Sequence, residues 1–124
     1  MSGFLGRLFW WLPFGDVPEI SAVDLQEQLS GGKEPLQLLD VRSPSEWQNG
    51  VIDGSVLVSV QGLKSRIDDL GFDPSRPVIA ICHSATRSVG AVRLLNMAGY
   101  EDAKQLQGGM LVWLSNGFSV VKPN

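Results

Sequence analysis

The residues able to do chemistry gather in one stretch, Cys82-His83-Ser84-Ala85-Thr86-Arg87-Ser88, which holds the only cysteine and the only histidine of this 124-residue chain. A thiolate is a strong nucleophile near neutral pH, provided that neighbouring positive charge or N–H donors favour loss of its proton. Arg87 is the nearest cation, and Ser84, Thr86 and Ser88 add hydroxyl donors. A single cysteine forms no internal disulfide, and one cysteine with one histidine makes no Cys/His zinc site. The bland alternative is that Cys82 is a small apolar residue finishing a core strand, since free cysteine is among the most buried residue types.

The flanking elements place this stretch. Pro77 opens Val78-Ile79-Ala80-Ile81, a run suited to a strand buried on both faces of a parallel sheet. After the loop, Val89, Val92, Leu95 and Met97 recur at helical spacing until Gly99 supplies a stop. Cys82 is thereby set at a strand's carboxyl end and beside a helix amino end, where unpaired N–H groups and the macrodipole attract anions and favour a thiolate.

Residues 36–41 read as another strand, ending in Asp40-Val41-Arg42 before Pro44 forces a turn, so Asp40 and Arg42 reach the same end of the sheet. Glu46 is then a natural partner for Arg42, and Trp47 reads as a core aromatic. Pro18-Glu19-Ile20 suggests a short first strand, and Ser21 with Asp24 caps a helix that Gly31 and Gly32 end. Residues 56–60 read as a strand, Leu63, Ile67 and Leu70 as a helix stripe ended by Gly71, and 103–106 as a short strand. Gly108-Gly109 then opens a last helix through Met110, Leu111 and Trp113. Strands alternating with helices predict an α/β fold with a mainly parallel, five-stranded sheet flanked by helices on both faces.

Cys82-His83-Ser84-Ala85-Thr86-Arg87-Ser88 resembles the active-site loop of rhodanese domains, usually Cys-x-x-Gly-x-Arg-Ser. Two further segments resemble the family's other signatures: Leu38 to Trp47 with Gly50-Val51-Ile52-Asp53-Gly54-Ser55, and Leu106-Gln107-Gly108-Gly109-Met110-Leu111-Val112-Trp113 with Gly117-Phe118. The likeness spans roughly residues 18–121 in the family's order and spacing. It implies a sulfurtransferase that holds sulfane sulfur as a persulfide on Cys82 and needs no metal or organic cofactor. The implied partners are a small-molecule donor and acceptor, such as thiosulfate with cyanide or a thiol, or a sulfur-carrier protein.

In that reading Cys82 and Arg87 are catalytic, Arg87 anchoring the loop and adding positive charge; the loop residues His83, Ser84, Ala85, Thr86 and Ser88 cradle the anion, while Asp40 and Arg42 serve as structural support. Two positions depart from the pattern: Ala85 replaces the loop glycine, and Val51 stands where a histidine often follows the glycine. A catalytically silent binding module of the same fold is one alternative. A cysteine phosphatase is another, but related phosphatases carry five residues between Cys and Arg, against four between Cys82 and Arg87.

Composition agrees with one globular domain: 44% of residues are hydrophobic, 19% are charged and the net charge is −3, which gives no sign of nucleic-acid binding. A reactive thiol without a disulfide partner suits a reducing, cytoplasmic setting. Residues 1–17 stand apart from the domain at 18–124 as an apolar extension, with Phe4, Leu5, Leu8, Phe9, Trp10, Trp11, Leu12 and Phe14 around Arg7. Residues 1–15 are too short to cross a bilayer, which takes ~20 apolar residues. They suit packing on the domain, or peripheral contact with a membrane surface or a partner protein.

Overall fold

Successive side chains of a strand point to opposite faces of its sheet, so a fully apolar strand needs a covering layer on each side. The computed structural model describes residues 16–32 and 35–123. Along the chain it has β1 (Glu19–Ile20), α1 (Ala22–Gly31), β2 (Gln37–Asp40), α2 (Pro44–Trp47), β3 (Val56–Leu57) and α3 (Val60–Arg66). A 3-10 turn (Ile67–Asp69), β4 (Val78–Ile81), α4 (Arg87–Met97), β5 (Ala103–Leu106) and α5 (Gly109–Ser115) follow. The strands lie in the order β1-β5-β4-β2-β3, and every neighbouring pair is parallel. This is the five-stranded α/β arrangement expected from the sequence.

Alternation sorts the core into two layers. Val78, Ala80 and Cys82 join Leu39, Leu63, Val92 and Leu95 under α3 and α4. Ile79 and Ile81 join Leu25, Leu38, Met110 and Trp113 under α1 and α5. Each Val, Leu, Ile or Met among them contributes about 1.5–3 kcal/mol when fully buried, so β4, sandwiched between both layers, is the spine that presents the loop after it.

Three local expectations are corrected. The third strand stops at Leu57 and α3 starts at Val60, with Ser59 at its N-cap position and no side-chain capping bond. β2 ends at Asp40 and offers no longer ladder, and Val58 and Val60 spend their N–H groups on the carbonyls of Asp40 and Val41. Trp47 is half-buried rather than a core residue, because its indole N–H reaches Asp40 Oδ1 at 3.2 Å at the rim of the sheet. Arg42 does not take the Glu46 carboxylate, because its guanidinium is folded back on Asp40. Residues 1–15, which hold most of the apolar extension, lie outside the described residues. Among the described residues no helix is long and apolar enough to cross a membrane.

Candidate active site

Parallel strands share a carboxyl end, and the β2–β4 register sets Asp40 opposite Ile81. Asp40, Arg42 and Cys82 therefore arrive together. In packing, Cys82 is a core residue with 0% exposure. Its polar company sets it apart from an ordinary core cysteine. Ser88, in the first turn of α4 and fully buried, lies with Oγ 3.6 Å from Sγ and 2.6 Å from Gln105 Oε1, to which its hydroxyl donates. Gln105 Nε2 in turn donates to Glu19 Oε2 at 2.8 Å.

The loop from 82 to 86 is shaped from outside. The first N–H groups of a helix lack intrahelical partners, and here Met110 and Leu111 of α5 donate theirs to the carbonyls of Cys82 (2.8 Å) and His83 (3.0 Å). No peptide bond in the described chain is cis, and a trans peptide sends its N–H opposite to its carbonyl. The N–H groups of His83 and Ser84 therefore point away from α5. Gly109 makes this contact feasible: at φ 62°, a Cβ there would stand 2.5 Å from the carbonyl oxygens of both Cys82 and His83.

His83, Ser84 and Thr86 are exposed and Ala85 is half-buried. Ala85 has φ 70°, the left-handed region that an alanine side chain disfavours by about 1–2 kcal/mol. The loop thus keeps the backbone turn that a glycine would adopt freely, with a methyl group on it. Val51, the other departure, is buried in a two-bond antiparallel bridge with Val121.

Two arginines serve two carboxylates at this end of the sheet. Arg42 is folded back on Asp40, with Nε 3.0 and 3.2 Å from the carboxylate oxygens and Nη2 2.8 Å from Oδ2. It also donates to the carbonyl of Gly50 at 2.8 Å. Its contact with Glu46 is only to the backbone carbonyl, at 3.4 Å. The Glu46 carboxylate goes to Arg87 instead, in a bidentate pair of 2.6 and 2.7 Å. The hydrogen bond from Arg87, against opposing burial and helped by Ser43, lowers the Glu46 carboxyl from 4.5 to about 2. Arg87 is held more firmly protonated, first by its bond to Glu46, with smaller contributions from the nearby Cys82 and Asp40. The Arg87 guanidinium is thus largely neutralised by Glu46, so it acts more as a tether between loop and α2 than as a bare positive charge.

Of the residues singled out from sequence, Cys82, Ser88, Arg87, Asp40 and Arg42 converge at the strand ends, while the side chains of His83, Ser84 and Thr86 face solvent. Glu46, Gln105, Glu19 and Gly109 complete the surroundings and were not anticipated as site residues. Signals for two of them existed: Gln105 is a polar residue within a short buried strand, and Gly108-Gly109 is a rare start for a helix. Among the described residues no group of three His, Cys, Asp or Glu side chains is placed to hold a metal ion. A buried sulfur at the start of a loop whose first N–H groups turn away from α5 is an arrangement in which backbone dipoles can stabilise an anion on the cysteine.

Known proteins share the sequence pattern and the fold. The family model described as Rhodanese-like domain matches residues 21–116. A sulfurtransferase from Allochromatium vinosum is 30% identical over 107 residues, covering 86% of this chain and 97% of that protein. A probable adenylyltransferase/sulfurtransferase from Mycobacterium tuberculosis is 33% identical over 94 residues, 76% of this chain but 24% of that protein, so the chain spans about a quarter of its length. Among solved structures, the rhodanese-like domain of an Anabaena protein, determined by solution NMR, superposes with a TM-score of 0.76 at 27% identity, covering 87% of this chain and 81% of that one.

Proposed function

The chain belongs to the rhodanese-like domain family, and on that premise we propose that it is a sulfurtransferase whose sulfur is carried by Cys82. In the first half-reaction the Cys82 thiolate attacks the outer sulfur of a donor such as thiosulfate. An S–S bond forms on the protein, the donor's S–S bond breaks, and sulfite leaves with the electron pair. In the second, a nucleophile such as cyanide or a thiolate takes the outer sulfur and returns Cys82 as thiolate. No net oxidant is required, which suits a chain with a single cysteine.

The observation that supports this reading most is the way α5 holds the carbonyls of Cys82 and His83, leaving the intervening N–H groups turned toward the other side of the loop. Charge on a persulfide is then met by backbone dipoles that α5 orients. Four residues between Cys82 and Arg87 make a smaller cradle than a phosphate ester needs. Because the sulfur has no exposed surface, the segment 83–86, of which His83, Ser84 and Thr86 are exposed, must shift to admit the donor.

Incubation with thiosulfate should add one sulfur atom to the protein, seen by intact mass, removed by cyanide as thiocyanate and absent in Cys82→Ser. A folded protein that gains no mass would sink the proposal in favour of a silent binding module. Hydrolysis of aryl phosphates abolished by Cys82→Ser would replace it with a phosphatase.

A further inference from the structure

The polar side chains behind the sulfur have an order that donor and acceptor counting makes definite. Glu19 and Gln105 are register partners on β1 and β5, so their side chains lie side by side on the α4 face of the sheet. An ionised carboxylate only accepts hydrogen bonds. With Glu19 Oε2 at 2.8 Å, Gln105 must present its NH2 group to Glu19 and its carbonyl oxygen to Ser88. That oxygen has no proton either, so the 2.6 Å contact takes the single proton of the Ser88 hydroxyl. The same hydroxyl is within reach of Cys82 Sγ at 3.6 Å, but one proton cannot serve both partners, and the shorter bond holds it.

This order suits a protonated thiol, which can donate to the free lone pair of Ser88. It suits a thiolate or persulfide poorly, because the nearest hydroxyl offers oxygen rather than hydrogen. Turning the Gln105 amide over reverses the chain: its NH2 group donates to Ser88, and the Ser88 proton goes to sulfur. While Glu19 is ionised, that state would set an amide oxygen against a carboxylate.

We infer that Glu19, acting through Gln105, is a positioning residue that decides whether the hydroxyl proton of Ser88 is available to an ionised Cys82. The inference rests on Cys82 being the nucleophile of the proposed reaction. Its measurement is nevertheless separate, because ultraviolet thiolate absorbance reads the lone cysteine of the full chain directly. In Glu19→Leu, an exposed edge-strand position, the thiolate-to-thiol ratio at neutral pH should rise about three- to tenfold, as expected when a charge-assisted hydrogen bond becomes available. Gln105→Leu, which releases Ser88 by another route, should act in the same direction.

In a Ser88→Ala background the Glu19 substitution should have no effect on the ratio. Simple loss of a negative charge would raise it in both backgrounds. Arg87, Glu46, Asp40 and Arg42, the paired charges at this end of the sheet, are unchanged in all these variants. An unaltered ratio in Glu19→Leu, or an equal rise with and without Ser88, would overturn the inference. A protein that showed the Ser88-dependent rise yet took no sulfur from thiosulfate would instead keep the inference and remove the sulfur-transfer reading.

Discussion

Two arginine–carboxylate pairs stand at the carboxyl end of one sheet, and they are built in opposite ways. Arg42 and Asp40 are two residues apart, with side chains 4% and 0% exposed, and every bond of the pair stays within the β2 end and the turn to Gly50. Arg87 and Glu46 are 41 residues apart, with side chains 35% and 26% exposed, and they bridge the reactive loop to α2. Removing one partner of a buried pair strands a charge in low dielectric, whereas an exposed pair exchanges its bonds for water at small net cost. The same chemical pairing therefore stiffens the scaffold in one place and sets loop geometry in the other. Burial, more than bond length, separates the two roles.

The comparison is most directly broken at Arg42. Arg42→Ala leaves the Asp40 carboxylate buried without its cation and the Gly50 carbonyl without a donor, and should cost about 3–5 kcal/mol. Against a total of ~5–15 kcal/mol this lowers the melting temperature by many degrees. A melting temperature like that of Arg87→Ala would show that the two pairs are equivalent after all.

Arg87→Ala should change unfolding free energy by only about 1 kcal/mol or less, yet slow sulfur loading of Cys82 about ten- to a hundredfold because the loop loses its tether. The acid limb of stability checks the same pair. Glu46 is lowered from 4.5 to about 2 in the folded protein, so its contribution is complete above about 4.5 and disappears as pH falls toward 2. That lowering alone would correspond to about 3 kcal/mol. Solvent screening at a pair this exposed reduces the expected value to about 1 kcal/mol. Denaturant unfolding at stepped pH should show wild type losing that increment across the window and Arg87→Ala losing little of it. Identical acid limbs would mean the pair contributes nothing to stability.

The smallest effect is expected at Ala85. Ala85→Gly relieves a left-handed φ of 70° but adds freedom to the unfolded chain, so stability should rise by roughly 0.5–1 kcal/mol. A loss of stability would mean that the methyl group packs usefully and that the loop is not strained. Faster sulfur loading alongside the gain would sharpen the comparison by showing that loop geometry, rather than scaffold strength, limits the chemistry.

Much of this was legible in sequence because it depends on neighbours. Four apolar residues before Cys82 and the helical spacing after Arg87 define β4 and α4, and Ser21 caps α1 by accepting from Asp24 N at 3.0 Å, as its position predicts. Sequence spacing points Glu46 to the wrong arginine for an equally local reason. Arg42 is only four residues away, but Asp40 is closer still and already fills its guanidinium, while Arg87 reaches Glu46 only once α2 and the loop are brought together. Trp47 was read by its type as core, although its N–H has to reach Asp40 at the rim.

The order of strands and helices and the strand end that bears Cys82 follow from sequence, because hydrophobic period, caps and turn residues act over a few positions; the family resemblance follows from the residue types of the loop itself. Tertiary structure alone decided which groups of like chemistry pair: Arg87 with Glu46, the α5 N–H groups with the loop carbonyls, and Glu19 with the Gln105 amide. Hydrogen bonds form with whichever partner lies within about 3 Å at the right angle. Such proximity between residues distant in the chain exists only after the sheet has assembled.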